Sequence, residues 1–495
     1  MTSLLCETVT GRTMAELVAN RDAVSEADMV ELRMDGVTDV DVAQALAGRR
    51  TPTIVTCRPS WEGGRFTGSE EERGALLGRA LGLGAEYVDV EWQALRNKQE
   101  HASFDRMLHA DAARVIVSSH DFTGVPGDLC TRARAMRGTG AAVIKVAVTA
   151  ARLSDTLPLL DIAREGNAVV IGMGAAGVPS RLLASRFGSR WTYGGRNVAP
   201  GQMPSMRMVQ RFRFKAVRST SAIYGVVGNN VMGSVSPAMH NAAFEAAALD
   251  AVYVPLPAAD IDDFLTFADA LGIAGASVTI PFKIDALRIA KTADDVTRRV
   301  GAANTLRRGG HGWDATNTDV PGFLEPLLEI IDEQDLAALR VSVLGAGGAA
   351  RAVIVALNSH GARVTVHARR QSQAAEVAAA FGVDAGPWPP DPDSWDVLVN
   401  CTPLGRAPWE EVSPVPGGPF DGRVVYDLVY RVGTSPLLRE ARSAGCTTLN
   451  GLSMLVAQAE RQYQWWTGQR PVPDVMPAAA AADLNQIAGI ESSVN

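Results

Sequence analysis

The chain has 495 residues, 47% of them hydrophobic and 20% charged, with a formal net charge of −7. That length predicts two to four domains and more than one core. The acidic balance excludes a general nucleic-acid binder, which would carry a basic domain or stripe, and no apolar run reaches the roughly 18 residues that a membrane helix needs. Five cysteines (Cys6, Cys57, Cys130, Cys401 and Cys446) are scattered without a CxxC pair or zinc-type spacing, which reads as free thiols in a reducing compartment. The first residues already read as a strand rather than a signal or transit peptide, so the expected compartment is the cytoplasm.

In chain order, β-rich runs fall at 4–9, 29–33, 53–57, 87–91, 114–118, 143–148, 168–173 and 191–193, with helix-like stretches such as 70–82 and 153–165 between them. Strand–helix alternation predicts parallel pairing, and eight units predict a closed (β/α)₈ TIM barrel over 1–215 with lean loops. A basic and then small, polar segment at 211–221 leads into a second region, its charges expected in solvent. There an α/β piece at 222–320, completed by about 450–495, brackets an open doubly wound Rossmann unit at 321–450. Residues 382–395, rich in Pro and Asp, predict a surface loop, and 452–466 a helix returning to the smaller piece.

The Rossmann assignment rests on a strand that runs into Gly345-Ala346-Gly347-Gly348-Ala349-Ala350 and then a helix. Glycines at the first and third positions permit a tight turn and close approach of backbone to a pyrophosphate, which the helix N-terminus then binds. An NAD site would place Asp or Glu at the end of the next strand. Here that strand ends in Ala368-Arg369-Arg370, and guanidinium groups pair with a 2′-phosphate, so the expected cofactor is NADP.

Small polar sets surround this turn. They are Ser234-Val-Ser236-Pro-Ala-Met-His240-Asn241, Ser277-Val-Thr279-Ile-Pro-Phe-Lys283, Gly301-Ala-Ala-Asn304-Thr305, Asn317-Thr318-Asp319 and Gly451-Leu-Ser-Met454-Leu-Val-Ala-Gln458. Taken singly, each has an ordinary structural reading as a cap, a turn or a surface charge. Together they resemble the shikimate dehydrogenase family over about 222–495. The resemblance implies a catalytic pair, Lys283 and Asp319, and a substrate set of Ser234, Ser236, Thr279, Asn304 and Gln458, with Gly451 beside the cofactor. Ser277 stands where the family often has asparagine, and Ala368-Arg369-Arg370 where it has an N-R-T-like sequence.

In a barrel, functional groups gather at the C-terminal ends of the strands. Those ends read Glu31-Leu-Arg33, Cys57-Arg58, Asp89-Val-Glu91 and Ser119-His120-Asp121, and Lys145 interrupts an apolar strand. A lysine there is an edge residue, a snorkelling or salt-bridged group, or a desolvated amine that attacks a ketone. These segments, with Glu62-Gly-Gly64, Ser180-Arg181 and Ala199-Pro-Gly-Gln202, resemble type I 3-dehydroquinate dehydratase over about 4–215. The resemblance implies an imine on Lys145, His120 as the base, and Glu31 orienting His120. It also implies that Arg33, Arg58, Arg181 and Gln202 hold the substrate carboxylate and hydroxyls. Val198 stands where that family often has serine.

The two resemblances fit consecutive reactions: dehydration of 3-dehydroquinate to 3-dehydroshikimate, then reduction to shikimate. The expected partners are these small molecules, with no nucleic acid and no membrane. The oligomeric state stays open, a monomer being compatible with a fused chain. Rival readings are a dehydrogenase that also takes quinate and a metabolite sensor without turnover; the latter predicts broken catalytic sets, whereas His120, Lys145, Lys283 and Asp319 are all present. The arginine pair yields the first prediction: kcat/KM for reduction is higher with NADPH than with NADH, and replacing Arg369 and Arg370 by Ala raises the KM for NADPH about tenfold or more, as initial-rate kinetics with both cofactors will show.

Overall fold

The computed structural model describes residues 2–96, 102–196 and 199–494; Val198 lies outside them. The described residues gather into two compact units. One comprises 1–223 with 230–232 and 250–272, and the other 224–229 with 233–249 and 273–495.

The first unit is built on eight strands: β1 (Leu4–Val9), β2 (Met29–Arg33), β3 (Thr53–Thr56), β4 (Tyr87–Glu91), β5 (Val115–Asp121), β6 (Val143–Thr149), β7 (Ala168–Met173) and β8 (Trp191–Gly195). Their order is β7-β6-β5-β4-β3-β2-β1-β8, neighbouring strands pairing in parallel from β8 through β1 to β7. The barrel is nearly closed. At the β7–β8 seam a backbone bond from Arg190 N to Ala168 O (2.9 Å) takes the place of a ladder. Further along, the buried Arg181 guanidinium donates from Nε to Gly172 O of β7 (3.2 Å) and from Nη1 to Tyr193 O of β8 (3.4 Å). The sequence predicts a closed eight-stranded barrel, and the eight parallel strands form one that is nearly closed.

Side chains alternate in and out along a strand, so the barrel interior can be read off the register. Cys6, Met29, Ile54, Ile116, Val143, Val169 and Trp191 share one buried apolar cluster. Two residues further along the same faces come Thr8, Glu31, Thr56, Ser118, Lys145, Ile171 and Tyr193, of which Ile171 and Tyr193 still belong to the apolar cluster. The N-terminal half of the interior is thus oily and the C-terminal half polar, which places the chemistry at the end where parallel barrels carry it.

The remaining strands form two sheets. Strands β9 (Ala222–Gly228), β10 (Ala251–Pro257), β11 (Ile273–Val278), β12 (Thr292–Ala293), β13 (Thr305–Gly309) and β14 (Gly312–Thr316) make a mixed sheet in the order β10-β9-β11-β13-β14-β12. Strands β15 (Arg340–Leu344), β16 (Arg363–His367), β17 (Asp384–Ala385), β18 (Val397–Asn400), β19 (Val424–Asp427) and β20 (Thr447–Asn450) make a parallel sheet in the order β17-β16-β15-β18-β19-β20. The sequence predicts 382–395 as loop throughout; the two residues of β17 pair with β16 inside it. Helix Gly451–Thr467 packs closely on helix Asp319–Leu328. The approach depends on Gly322, where a Cβ would lie 2.7 Å from Gln458 Cβ.

That contact sets a stability prediction. Gly322→Ala forces the two helices apart, costs about 1–3 kcal/mol, and lowers the urea midpoint of the second unit while leaving the barrel transition in place.

Candidate active sites

In the barrel, Lys145 is 4% exposed. Burial of a lone ammonium is prohibitive, so it needs counter-charges. Its Nζ donates to Glu31 Oε1 and Asp89 Oδ2, each at 3.1 Å, and lies 4.2 Å from the centre of the Tyr193 ring. Glu31 also accepts from Thr56 Oγ1 (2.9 Å) and Thr8 Oγ1 (3.2 Å). Asp89 accepts from Arg58 Nη2 (3.0 Å) and Ser118 Oγ (2.5 Å). Burial opposes ionisation of Asp89, but Arg58 and Lys145 overcome it and hold the carboxyl well below the usual range.

His120 sits on β5, two residues beyond Ser118 on the same face. Here the structure corrects the expectation for Glu31. The carboxylate on His120 is Glu62, whose Oε1 lies 2.8 Å from Nδ1 and accepts the His120 backbone N–H at 3.0 Å. Glu31 is one strand interior deeper and is committed to Lys145. The short helical turn Ser60–Glu62 carries Glu62 back over the β5 end, a loop excursion that strand register alone does not reveal. An oxygen already accepting the backbone N–H accepts Nδ1–H as well, which leaves Nε2 as the basic nitrogen. Burial, with the charges of Arg58 and Lys145, lowers the His120 pKa well below its ordinary value. Burial likewise pushes the Glu62 carboxyl up to about 8.

The expected anion-binding groups differ in what already holds them. Arg33 is paired bidentately with Asp35 at 2.8 and 2.9 Å. The Arg58 fork is engaged by Asp89, by Glu91 Oε1 (2.7 Å) and by Ser118 Oγ (2.8 Å), so in this structure it organises the floor of the site rather than presenting itself to a ligand. Arg181 is different: its bonds go to the carbonyls of Gly172, Tyr193 and Pro200, and burial alone lowers its pKa to about 10. Gln202 donates to Thr8 Oγ1 (3.1 Å) and Gly194 O (2.6 Å), while its buried Oε1 has no partner.

In the second unit, Lys283 opens helix Lys283–Ile289 directly after the turn that follows β11. Its Nζ meets Asp319 Oδ2 at 2.6 Å. Asp319 starts its own helix, and its Oδ1 accepts from Asn304 Nδ2 at 2.8 Å. The same amide lies 3.3 Å from Gln458 Oε1. Ser234 Oγ accepts from Ser236 N (3.2 Å), and Thr279 is tied to β9 by its N–H to Val227 O (2.9 Å). Ser277 donates to Gln462 Oε1 at 2.7 Å; Gln462 was not among the expected residues, although it lies one helical turn past Gln458.

The residues expected to hold the cofactor lie beside this pair. Gly345 has φ +114°, a conformation that L side chains rarely adopt. Gly347 caps helix Gly348–Ser359, and a Cβ there would meet nothing within 4 Å, which leaves open space over the helix N-terminus. Ala346 and Ala349 are half-buried in the same turn. At Gly348 a Cβ would come 3.5 Å from Lys283 Cδ, so the glycine turn runs alongside the lysine. Arg369 and Arg370 are exposed ahead of helix Gln371–Phe381. Gly451 admits no side chain, since a Cβ would lie 2.1 Å from Leu428 O. An anion-binding turn with a free helix end and a guanidinium pair at the next strand fits a dinucleotide carrying a 2′-phosphate.

A parallel barrel with an internal lysine and histidine, joined in one chain to a dinucleotide-binding unit with a Lys–Asp pair, defines a two-enzyme chain: a lyase followed by an NADP-type oxidoreductase. The family model for type I 3-dehydroquinase matches residues 5–218, that for the shikimate dehydrogenase substrate binding domain 226–306, and that for the shikimate 5′-dehydrogenase C-terminal domain 451–480. The chain is 32% identical over 503 residues to a bifunctional 3-dehydroquinate dehydratase/shikimate dehydrogenase, chloroplastic, of Arabidopsis thaliana, covering 94% of this chain and 82% of the relative. It is 41% identical over 268 residues to a shikimate dehydrogenase (NADP(+)) of Methanocella arvoryzae, covering 52% of this chain and 97% of the relative. A crystal structure of a shikimate dehydrogenase in complex with NADP+ is 32% identical, covers 54% of this chain and 97% of its own, and has a TM-score of 0.50. The chain belongs to the family of bifunctional 3-dehydroquinate dehydratase/shikimate dehydrogenases.

The Glu62–His120 pair makes a pH prediction. A carboxyl whose native pKa lies above its unfolded value favours the protonated native state. The contribution of this carboxyl to barrel stability is therefore lost as pH rises from the ordinary carboxyl range to about 8, while His120, held well below its ordinary value, contributes in the opposite sense. Glu62→Gln keeps the acceptor and removes only the carboxyl ionisation, so between about pH 5 and about pH 8 the urea unfolding free energy of the variant is expected to rise relative to that of wild type.

Proposed function

We propose that Lys145 and His120 carry the dehydration of 3-dehydroquinate and that Lys283 and Asp319 carry the reduction of 3-dehydroshikimate. The observation that supports this reading best is the placement of Lys145, a buried amine shared between two carboxylates at 3.1 Å. Lys145 gives up a proton, and its amine adds to the substrate ketone. The carbinolamine loses water to leave a protonated imine, an electron sink that acidifies the neighbouring C–H. His120 Nε2 then removes that proton and returns it to the departing hydroxyl. Arg181, buried with carbonyl partners, is the group best prepared to take the substrate carboxylate, and the unpartnered Gln202 Oε1 is suited to a hydroxyl.

In the second reaction NADPH, held by the turn from Gly345 to Ala349, by Arg369 and Arg370 and beside Gly451, supplies hydride when bound. Lys283 delivers a proton to the developing alkoxide while Asp319 fixes its position. Asn304 links Asp319 to Gln458, so the proton donor and the substrate-binding amide are set by one bond network. Ser234, Ser236 and Thr279 supply hydroxyls to the polyol. We assign residues 1–215, 222–320 with about 450–495, and 321–450 to the lyase, substrate-binding and cofactor-binding parts. We place the chain in the cytoplasm as an enzyme of small molecules. The five free cysteines support a reducing compartment, and no helix among the described residues is long and apolar enough to cross a membrane.

A coupled assay tests the reading. Purified chain given 3-dehydroquinate and NADPH is expected to form enone absorbance and to oxidise the cofactor, and borohydride with substrate is expected to label Lys145. Lys283→Ala is expected to lower the reduction kcat by about 10²–10⁴-fold while dehydration continues. Labelling at another lysine, or near wild-type reduction by Lys283→Ala, removes the corresponding assignment.

A further inference from the structure

Arg73 belongs to none of the segments that carry the family resemblance, yet among the described residues it is the longest charged side chain with no exposure at all. It projects from helix Glu70–Gly82. Its Nε donates to Glu70 Oε2 at 2.9 Å, its Nη1 donates to Glu91 Oε2 and lies 3.4 Å from Cys57 O. Its guanidinium centre lies 4.6 Å from the middle of the Phe104 ring. Glu91 in turn holds Arg58 at 2.7 Å, Arg58 holds Asp89 at 3.0 Å, and Asp89 holds Lys145 at 3.1 Å. An alternating run of charges, Glu70, Arg73, Glu91, Arg58, Asp89 and Lys145, therefore leads from a helix outside the barrel to the amine inside it.

Such a run is a poor way to gain stability, since buried ion pairs are often no better than apolar residues of the same volume. It is an effective way to fix a charge. Arg58 sits between two carboxylates, and Arg73 is the second cation on one of them. Without Arg73, Glu91 has Arg58 alone, which draws that guanidinium away from Asp89. The carboxylates around Lys145 then hold its ammonium more tightly.

We propose that Arg73 is a positioning residue for the dehydration reaction, acting through Glu91, Arg58 and Asp89 to set how readily Lys145 gives up its proton. The inference rests on reading Lys145 as the imine-forming residue. In that step the ammonium and the ketone become a protonated imine and water: the proton released by Lys145 leaves with the carbinolamine hydroxyl, and Arg73 touches none of the reacting atoms.

The test uses the full chain. Arg73→Met removes the charge and keeps an unbranched stem; Arg73→Lys keeps the charge. We expect Arg73→Met to lower the dehydration kcat by about 10²-fold with KM little changed, to move the pH optimum upward, and to slow borohydride trapping at Lys145 in parallel. Arg73→Lys restores most of the rate. Glu91→Gln removes a negative charge from the same run and is expected to move the optimum downward, which keeps the test open if Arg73→Met does not fold. Wild-type kcat in Arg73→Met overturns the proposal. So does an equal loss in both Arg73 variants with an unmoved pH profile, or an unmoved optimum in Glu91→Gln. Absence of trapping at Lys145 in the wild-type chain is a separate result: it removes the imine reading on which the proposal stands.

Discussion

A single ammonium inside an eight-stranded barrel dictates most of what surrounds it. Lys145 cannot be buried as a cation without anions, and Glu31 and Asp89 supply them. Two carboxylates against one ammonium then require further positive charge, which Arg58 provides, and Arg58 brings Glu91, and Glu91 brings Arg73. The interior polar half is one mutually dependent set rather than a collection of separate substrate contacts. His120 stands beside that set on its own support, Glu62, and burial, with the charges of Arg58 and Lys145, favours the neutral form of its ring.

The second unit solves a different problem. Lys283 is partly open to solvent and needs one carboxylate, Asp319. What it requires is registration, and two helix starts and a pair of close helices provide it. Gly322 lets helix Gly451–Thr467 approach until Gln458 joins Asn304 and Asp319. The turn at Gly345–Gly348 runs close to Lys283, a Cβ on Gly348 lying 3.5 Å from its Cδ, so on the proposed reading cofactor and proton donor share one small volume.

Much of this was legible in the sequence because the signals are local. Runs of β-branched residues marked all eight barrel strands, and helix 70–82 matched its observed bounds. The glycine turn and the arginine pair sit where strand–turn–helix chemistry requires. Errors came where geometry is non-local. The resemblance implies that Glu31 orients His120, whereas Glu31 lies against Lys145 and Glu62 against His120; the loop that returns Glu62 cannot be seen in a periodicity. Arg33, Arg58 and Arg181 look equivalent in sequence. Only the folded chain shows that two are neutralised by neighbouring carboxylates and one is not. Asp89 and Glu91 were visible as a polar strand end, yet their use depends on Arg58 and Arg73 arriving from other elements.

The seam between β7 and β8 is bridged by one guanidinium. A guanidinium carries five N–H bonds, and Arg181 spends three on the carbonyls of Gly172, Tyr193 and Pro200. Two remain. One planar cation can thus serve as a rivet for the wall and still offer a clasp to an anion, without releasing either. Lysine, with a single tetrahedral head, has too few bonds for both duties. If Arg181 takes the substrate carboxylate as proposed, cylinder closure and anion capture are mechanically the same joint.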